Sequence, residues 1–288
     1  MRRAGLSKRC LEMPELPEVE TTRRLIAPVV TGRMIRTVLV SGARTLRRQE
    51  HPPDFTGRLE RHRIERVTRH GKYLVIAVEH DLAWIVHLGM SGRLTPTEPS
   101  DPVEQHTRFM VGFDAGPQLR FIDPRTFGFT AVLTPEERAV SSLARLGPDA
   151  LDDLTRSRDL ATRLAGRSAS IKAILLDQNV IAGLGNIYAD ESLHRARIAP
   201  RRPAGSLGSD EVKHLRSGIK TTLGAALDAG GTTLGDLAYL LPDRRAGGYL
   251  PRLRVYGREG EPCKRCGMSI RRATIRARST FWCPNCQR

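Results

Sequence analysis

From about residue 30 to 135 the chain alternates short apolar segments with turn signals. Segments 34–40, 73–78, 84–88, 109–113 and 119–122 are separated by Arg69-His70-Gly71, Glu79-His80-Asp81 and Asp114-Ala115-Gly116-Pro117. Strands at this spacing predict an antiparallel sandwich or barrel. One helix precedes them, with apolar positions at Val19, Leu25 and Ile26 after Pro17. Beyond Pro135 the period changes to that of helices, over 135–144, 157–164, 171–177, 187–196 and 209–228. Segment 145–153 reads as the connection between the two halves. From Leu250 the chain is short, basic and rich in cysteine, too small to build a core without a staple. The expected fold class is α+β: an N-terminal β-sandwich with flanking helices over 13–144, a linker over 145–156, a helical domain over 157–249 and a short cysteine-bearing ribbon over 250–288. Residues 1–12 form an extension ahead of this plan.

Charge narrows the partners. The formal net charge is +16, and half of that excess lies between Pro251 and Arg288, where ten Lys/Arg face two Glu. Such a balance points to a polyanion: nucleic acid, an anionic membrane surface or an acidic protein. A basic tail of the kind found on RNA-associated proteins gives the same numbers. No apolar run reaches the length of a membrane span. The first twelve residues lack the apolar stretch of a secretory signal. An intracellular protein is expected, with its five cysteines as thiols or metal ligands rather than disulfides.

The strongest local signal is Cys263-x2-Cys266 followed, after sixteen residues, by Cys283-x2-Cys286. Two such turns bring four thiolates onto one tetrahedral ion, and four protein ligands leave no open position, so the implied zinc is structural. Redox pairs or unligated thiols are the alternatives. Segment 269–282 between the pairs can form a hairpin carrying Arg271, Arg272, Arg276 and Arg278, suited to a phosphate backbone or a groove. A weaker signal is the stretch 170–197, two helical pieces joined by Gly183 and Gly185 and ending on Asn186, a good N-cap. It reads either as an ordinary helical hairpin or as a helix N-terminus offered to a phosphate.

Taken together, MPELPEVE from Met13, RHGKYL, HLGMSG, DPRTFG, LLDQNVIAGLGNIYADE, VYGREGEPC and the finger ending RSTFWCPNCQ resemble the formamidopyrimidine-DNA glycosylase/endonuclease VIII family, collinearly from Met13 to Arg288. The resemblance implies a bifunctional DNA glycosylase/AP lyase of base excision repair, acting on damaged double-stranded DNA as a monomer in the bacterial cytoplasm, nucleoid-associated. It implies one structural zinc, no nucleotide cofactor and no membrane. By likeness Pro14 is the nucleophile, whose secondary amine attacks C1′ and forms an iminium. Glu15 is the carboxyl acid/base, Glu18 supports the site, and Lys72 contacts phosphate and assists the chemistry. Met90, Arg125 and Phe127 match the family's three residues that fill the gap left by the flipped base, with Arg125 on the orphaned cytosine. Lys172, Asn186, Tyr256 and Arg278 are expected to contact DNA, as is His87, for which a buried structural histidine is the alternative.

Gly230-Gly-Thr-Thr-Leu-Gly-Asp resembles the branch that removes oxidised purines, whereas 238–251 is less typical, which leaves oxidised pyrimidines as the alternative substrate class. One feature departs from the family pattern. With translation from Met1, Pro14 is an internal amide nitrogen and cannot form the iminium. A start at Met13, followed by its removal, is expected. If the extension is retained, a catalytically silent damaged-DNA-binding protein is the alternative.

Overall fold

The structure, a computed structural model, describes residues 13–49, 51–234 and 240–288. The extension with Cys10, the Gly235-Asp236 end of the glycine-rich segment and the first residues of 238–251 lie outside the described residues.

The chain opens with α1 (Leu16–Val30) and β1 (Ile35–Val40), then α2 (Pro52–Gly57), β2 (Ile64–His70), β3 (Tyr73–Val78), β4 (Leu82–His87), β5 (Arg93–Thr97), β6 (Thr107–Phe113), β7 (Gln118–Ile122) and β8 (Phe129–Leu133). Helices α3 (Pro135–Val140), α4 (Ser157–Leu164), α5 (Ile171–Leu175), α6 (Asn186–Ala196) and α7 (Ser209–Asp228) follow. The hairpin β9 (Arg271–Ile275) and β10 (Arg278–Trp282) closes the chain. The expected strands and helices are present. Helices α3 and α5 are shorter than their apolar periodicity suggested, because Thr134 caps α3 at one end and Ser141 turns extended at the other, while α5 stops at Leu176 ahead of the glycine-rich turn.

Two antiparallel four-stranded sheets, β1-β6-β7-β5 and β2-β3-β4-β8, face each other as the predicted sandwich. Their shared core holds Trp84, Phe109, Phe121 and Phe55, with Ile35, Leu74, Ile76 and Val86. The polar end of Trp84 is satisfied, its Nε1 donating to Thr130 Oγ1 at 2.7 Å, as a buried indole requires. A second core gathers α4 to α7 with Tyr249, Val255 and Phe281 of the C-terminal region. Helix α1 belongs to both: Leu16 packs into the second core, Val19 and Ile26 into the first. The helix that begins two residues after Pro14 therefore stitches the halves together. The 145–156 connection is not a slack linker. Ala150 and Leu154 are fully buried, and Arg216 and Lys220 of α7 donate to the carbonyls of Leu154 and Leu151.

Strand register decides what stands at each end of the second sheet. Tyr73 pairs with His87, and His87 pairs with Phe129. The residues just outside those positions, Lys72, the 88–92 turn and the 123–128 loop, consequently emerge at one end of the sheet.

Candidate active site and DNA interface

An open cleft of about 120 Å³ is lined by Met13, Glu15, Lys72, Gln178, Gly185, Asn186 and Arg278, among others. Segments distant in sequence meet there: the start of α1, the β2–β3 turn, the glycine-rich turn and the ribbon. Met13 is half-buried and Pro14 buried, directly ahead of α1.

Glu15 is buried, and its carboxylate lies at the N-terminus of α6. It accepts from the N–H groups of Gly185 (2.7 Å), Ile187 (2.8 Å) and Tyr188 (3.4 Å). Those are the donors a helix leaves unsatisfied, at its electropositive end, so the carboxylate is well placed as an anion. The N-cap of α6 is Gly185 rather than Asn186. A side chain there has no room, since a Cβ on Gly185 would fall 2.4 Å from Glu15 Cδ. The capping oxygen comes instead from a residue 170 positions earlier, which local sequence reading cannot see.

Glu18 faces the same interior from one turn further along α1. It accepts from the Glu15 N–H at 2.9 Å, the Tyr188 hydroxyl at 2.5 Å and the Thr232 N–H at 2.7 Å. Burial pushes its carboxyl up from the ordinary range, and the Tyr188, Thr232 and Glu15 hydrogen bonds oppose that rise. A buried, fully hydrogen-bonded carboxyl is thereby kept next to Glu15. Tyr188 and Thr232 were not singled out from the sequence, because nothing local marks a tyrosine that holds a remote carboxylate.

Lys72, mostly buried, sits in the β2–β3 turn, and that turn is clasped from behind. Arg69 pairs with Asp149, with Asp152 at 2.8 Å and with Glu20 at 3.3 Å, and Gly71 N–H donates to Asp149 at 2.8 Å. The Arg69 side chain is 1% exposed, so this is a desolvated, multiply satisfied pair between the sandwich and the connection.

The predicted DNA-facing residues divide. Asn186 and Arg278 line the cleft, Arg278 exposed on the ribbon and Asn186 buried, its amide donating to the Tyr256 hydroxyl at 3.3 Å. Tyr256 is itself buried and positions Asn186 rather than facing solvent. Lys172 requires a correction. It is fully buried, its ammonium 2.8 Å from Asp190 and donating to the Ser279 carbonyl at 2.9 Å. It ties α5 to α6 and to the ribbon and cannot reach a phosphate. His87 is half-buried, stacked on Phe129 with ring centroids 5.2 Å apart, and its Nδ1 accepts from the Gly89 N–H. Burial first, then the Lys72 and Arg47 charges, hold its imidazole down at about 4, so the ring is neutral near pH 7. Met90 and Arg125 are half-buried and Phe127 is 41% exposed, on the two loops at the end of the second sheet. Gln178, missed from the sequence, holds the glycine-rich turn, accepting from Gly183 N–H and donating to Leu184 O.

The sulfurs of Cys263, Cys266, Cys283 and Cys286 all lie within 4.8 Å of one another, and those of Cys266 and Cys283 are 3.5 Å apart. A tetrahedral ion with Zn–S bonds of about 2.3 Å places sulfurs roughly 3.8 Å apart. Hydrogen bonds from the Asn285 side chain and the Met268 backbone pull the Cys266 thiol down to about 6, while burial pushes Cys286 up to about 12. Four sulfurs so close become thiolates together only around a cation, and the donor set fits structural zinc.

Three family models match in order: the formamidopyrimidine-DNA glycosylase N-terminal domain over 13–130, its H2TH domain over 146–237, and a zinc finger found in FPG and IleRS over 260–288. A formamidopyrimidine-DNA glycosylase of Stenotrophomonas maltophilia is 42% identical over 276 residues, covering 96% of this chain and 100% of that protein. The chain belongs to the formamidopyrimidine-DNA glycosylase family. The crystal structure of the MutM (FPG) protein from Thermus thermophilus superposes with a TM-score of 0.84 at 40% identity, over 95% of this chain and 98% of that one. A Lactococcus lactis FPG variant in complex with a Fapy-dG containing DNA superposes at 0.86 and 31% identity, over 96% and 100%. As a family member, the chain uses its second domain to set the glycine-rich turn against the cleft and its finger to set Arg278 beside it.

Proposed function

We propose that the active species begins at Pro14 and removes oxidised purines, 8-oxoguanine and formamidopyrimidines, from duplex DNA as a bifunctional glycosylase and AP lyase in base excision repair. The observation that carries this reading is the position of Glu15. The residue next to Pro14 is locked by three backbone N–H groups at the mouth of a cleft that Lys72, Asn186 and Arg278 also line.

With Met13 removed, Pro14 is a secondary amine whose ordinary pKa of about 8 leaves a useful neutral fraction near pH 7. Its lone pair attacks C1′ as the glycosidic bond breaks, and the Glu15 carboxylate takes up the N–H proton that the bonded amine sheds and passes it to the sugar ring oxygen as the ring opens to the iminium. The iminium so formed acidifies the C2′ proton. Its loss expels the 3′ phosphate, and a second elimination expels the 5′ phosphate. Glu18, its carboxyl raised by burial, supports proton transfer beside Glu15. Lys72, Asn186 and Arg278 hold the phosphates of the lesion strand. Met90, Arg125 and Phe127 fill the vacated stack, with Arg125 on the opposite cytosine. The protein acts as a monomer in the cytoplasm, at the nucleoid; among the described residues no helix is long and apolar enough to cross a membrane.

Borohydride trapping on duplexes containing 8-oxoguanine or thymine glycol tests the reading. The protein beginning at Pro14 is expected to cross-link and to prefer 8-oxoguanine, the protein retaining residues 1–13 to bind abasic DNA without cross-linking, and Pro14→Gly to trap weakly. A Pro14-started protein that never cross-links overturns it. Equal or better release of thymine glycol reassigns the lesion class to oxidised pyrimidines.

A further inference from the structure

The loops carrying Met90 and Phe127 are built as one body. Gly89, at φ +66, sits so close to the other loop that a Cβ on it would lie 2.3 Å from Gly128 N. Fully buried Asp123 bonds into both loops: one carboxylate oxygen accepts from Ser91 Oγ at 2.6 Å, the other from Gly128 N–H at 2.7 Å. Ser91 Oγ in turn accepts from the Arg125 N–H at 3.3 Å. On the outer side stands Arg47, just after the 3-10 turn Ala43–Leu46. Its two terminal nitrogens donate to the successive carbonyls of Phe127 and Gly128, both at 2.6 Å, and one of them also donates to Arg44 O at 3.0 Å. Its guanidinium lies over the Phe129 ring, 5.1 Å from the centroid. Holding two neighbouring carbonyls while covering a ring face suits a planar fork and not the point charge of an ammonium.

We propose that Arg47 is a positioning residue for base extrusion: it clamps the backbone behind Phe127, with Asp123 as the internal pin, so that Met90, Arg125 and Phe127 enter the duplex as a single rigid wedge. This rests on their assignment as gap-filling residues under the proposed function. Pushing a paired base out of the stack works against unstacking, and a wedge on a yielding backbone transmits little of that push. The same cation placed to meet a phosphate would serve only affinity.

The test follows single-turnover excision of 8-oxoguanine, nicking at a preformed abasic site, and the fluorescence of 2-aminopurine beside the lesion, in zinc-loaded protein beginning at Pro14. The variants are Arg47→Lys, Arg47→Met and Phe127→Ala. A displacement of the wedge by about 1 Å is expected to slow extrusion and excision roughly 10- to 100-fold in both Arg47 variants. Abasic nicking, where no base has to be extruded, is expected to fall far less, and the salt dependence of binding to undamaged DNA to be unchanged in Arg47→Lys.

Recovery of normal extrusion by Arg47→Lys, or a salt slope reduced by about one in Arg47→Met with extrusion intact, makes Arg47 a phosphate contact and overturns the proposal. Equal losses on both substrates make it a general fold contact and also overturn it. If Phe127→Ala is slow while both Arg47 variants are normal, only the clamp fails. If Phe127→Ala leaves extrusion untouched, the gap-filling assignment fails and the clamp with it. Should Arg47→Met fold poorly, Arg47→Lys, which keeps charge and length, still decides between clamp and phosphate contact.

Discussion

Two hairpins offer a cation to the same cleft, and they are held there by opposite means. The β2–β3 turn with Lys72 extends from a sheet whose strand β3 buries Leu74, Ile76 and Val78 in the sandwich core, and an Arg69–Asp149 pair fastens it to the second half. The β9–β10 ribbon with Arg278 buries only Thr280 and Phe281 of its ten strand residues. An isolated two-stranded hairpin is marginal in water. The ribbon is fixed instead by four sulfurs at its base and by Lys172 and Asp190 beneath it, Asp190 accepting from Phe281 N–H at 2.8 Å. Where apolar area is available, packing orients the cation; where it is scarce, a metal takes over, and in both hairpins a buried ion pair adds to the hold.

The largest break in this contrast comes from removing zinc. Apparent zinc binding in finger peptides is about 10–16 kcal/mol and is largely folding free energy. Chelation, or Cys283→Ala, is expected to unfold the ribbon and abolish tight DNA binding while the sandwich stays folded. The two tryptophans divide between the regions, Trp84 buried in the sandwich and Trp282 on β10. Single-tryptophan variants therefore report each region by fluorescence, and a Trp84 signal that collapses together with Trp282 contradicts the division.

Next in size is the ion pair under the ribbon. Asp190→Asn leaves the Lys172 ammonium buried without its counter-charge, with an expected loss of about 3–5 kcal/mol in denaturant unfolding. Replacing both residues by apolar ones of similar volume is expected to recover most of it. Failure of the double variant to recover would mean that position, not charge balance, is what the pair supplies.

Asp149→Ala probes the other hairpin. Arg69 retains Glu20 and Asp152. The expected loss is therefore smaller, about 2 kcal/mol against the usual cost of a broken buried pair. Excision is expected to slow through Lys72, so Asp149→Ala in a Lys72→Ala background adds no further loss. Multiplying losses would instead mark Asp149 as a general fold contact.

The remaining effect is one of pH. His87 has a folded-state pKa of about 4, below the 6.5 it has when exposed. Between those values the unfolded chain binds a proton that the folded chain does not. The stability this residue contributes is therefore complete above pH 6.5 and is lost as pH falls toward 4. His87→Gln is expected to flatten that part of the stability curve, and an unchanged slope would remove His87 from it.

Much of the site was legible in the chain because short-range chemistry marks it. Cysteine spacing specifies a metal cage, Pro14-Glu15 carries its meaning in adjacency, and the alternation of 73–78 and 109–113 specifies sheet faces. The misreadings share one cause. Lys172 was expected to contact DNA, yet α5 packs all five of its residues inside and pairs this one with Asp190. Asn186 looked like its helix's cap, yet the capping oxygen belongs to Glu15.

By itself, then, the sequence determined the strand and helix periods, the cysteine quartet that fits zinc, the excess of positive charge and the Pro14-Glu15 pair on which the proposed chemistry rests. Only the tertiary structure decided that Glu15 lies at the head of α6, that Arg69 reaches Asp149, that Arg47 stands behind Phe127 and that Lys172 faces inward. Periodicity and motif spacing act over a few residues along the chain. Hydrogen bonds and ion pairs between residues 80 or 170 positions apart exist only once packing has excluded water and made an unpaired buried group costly.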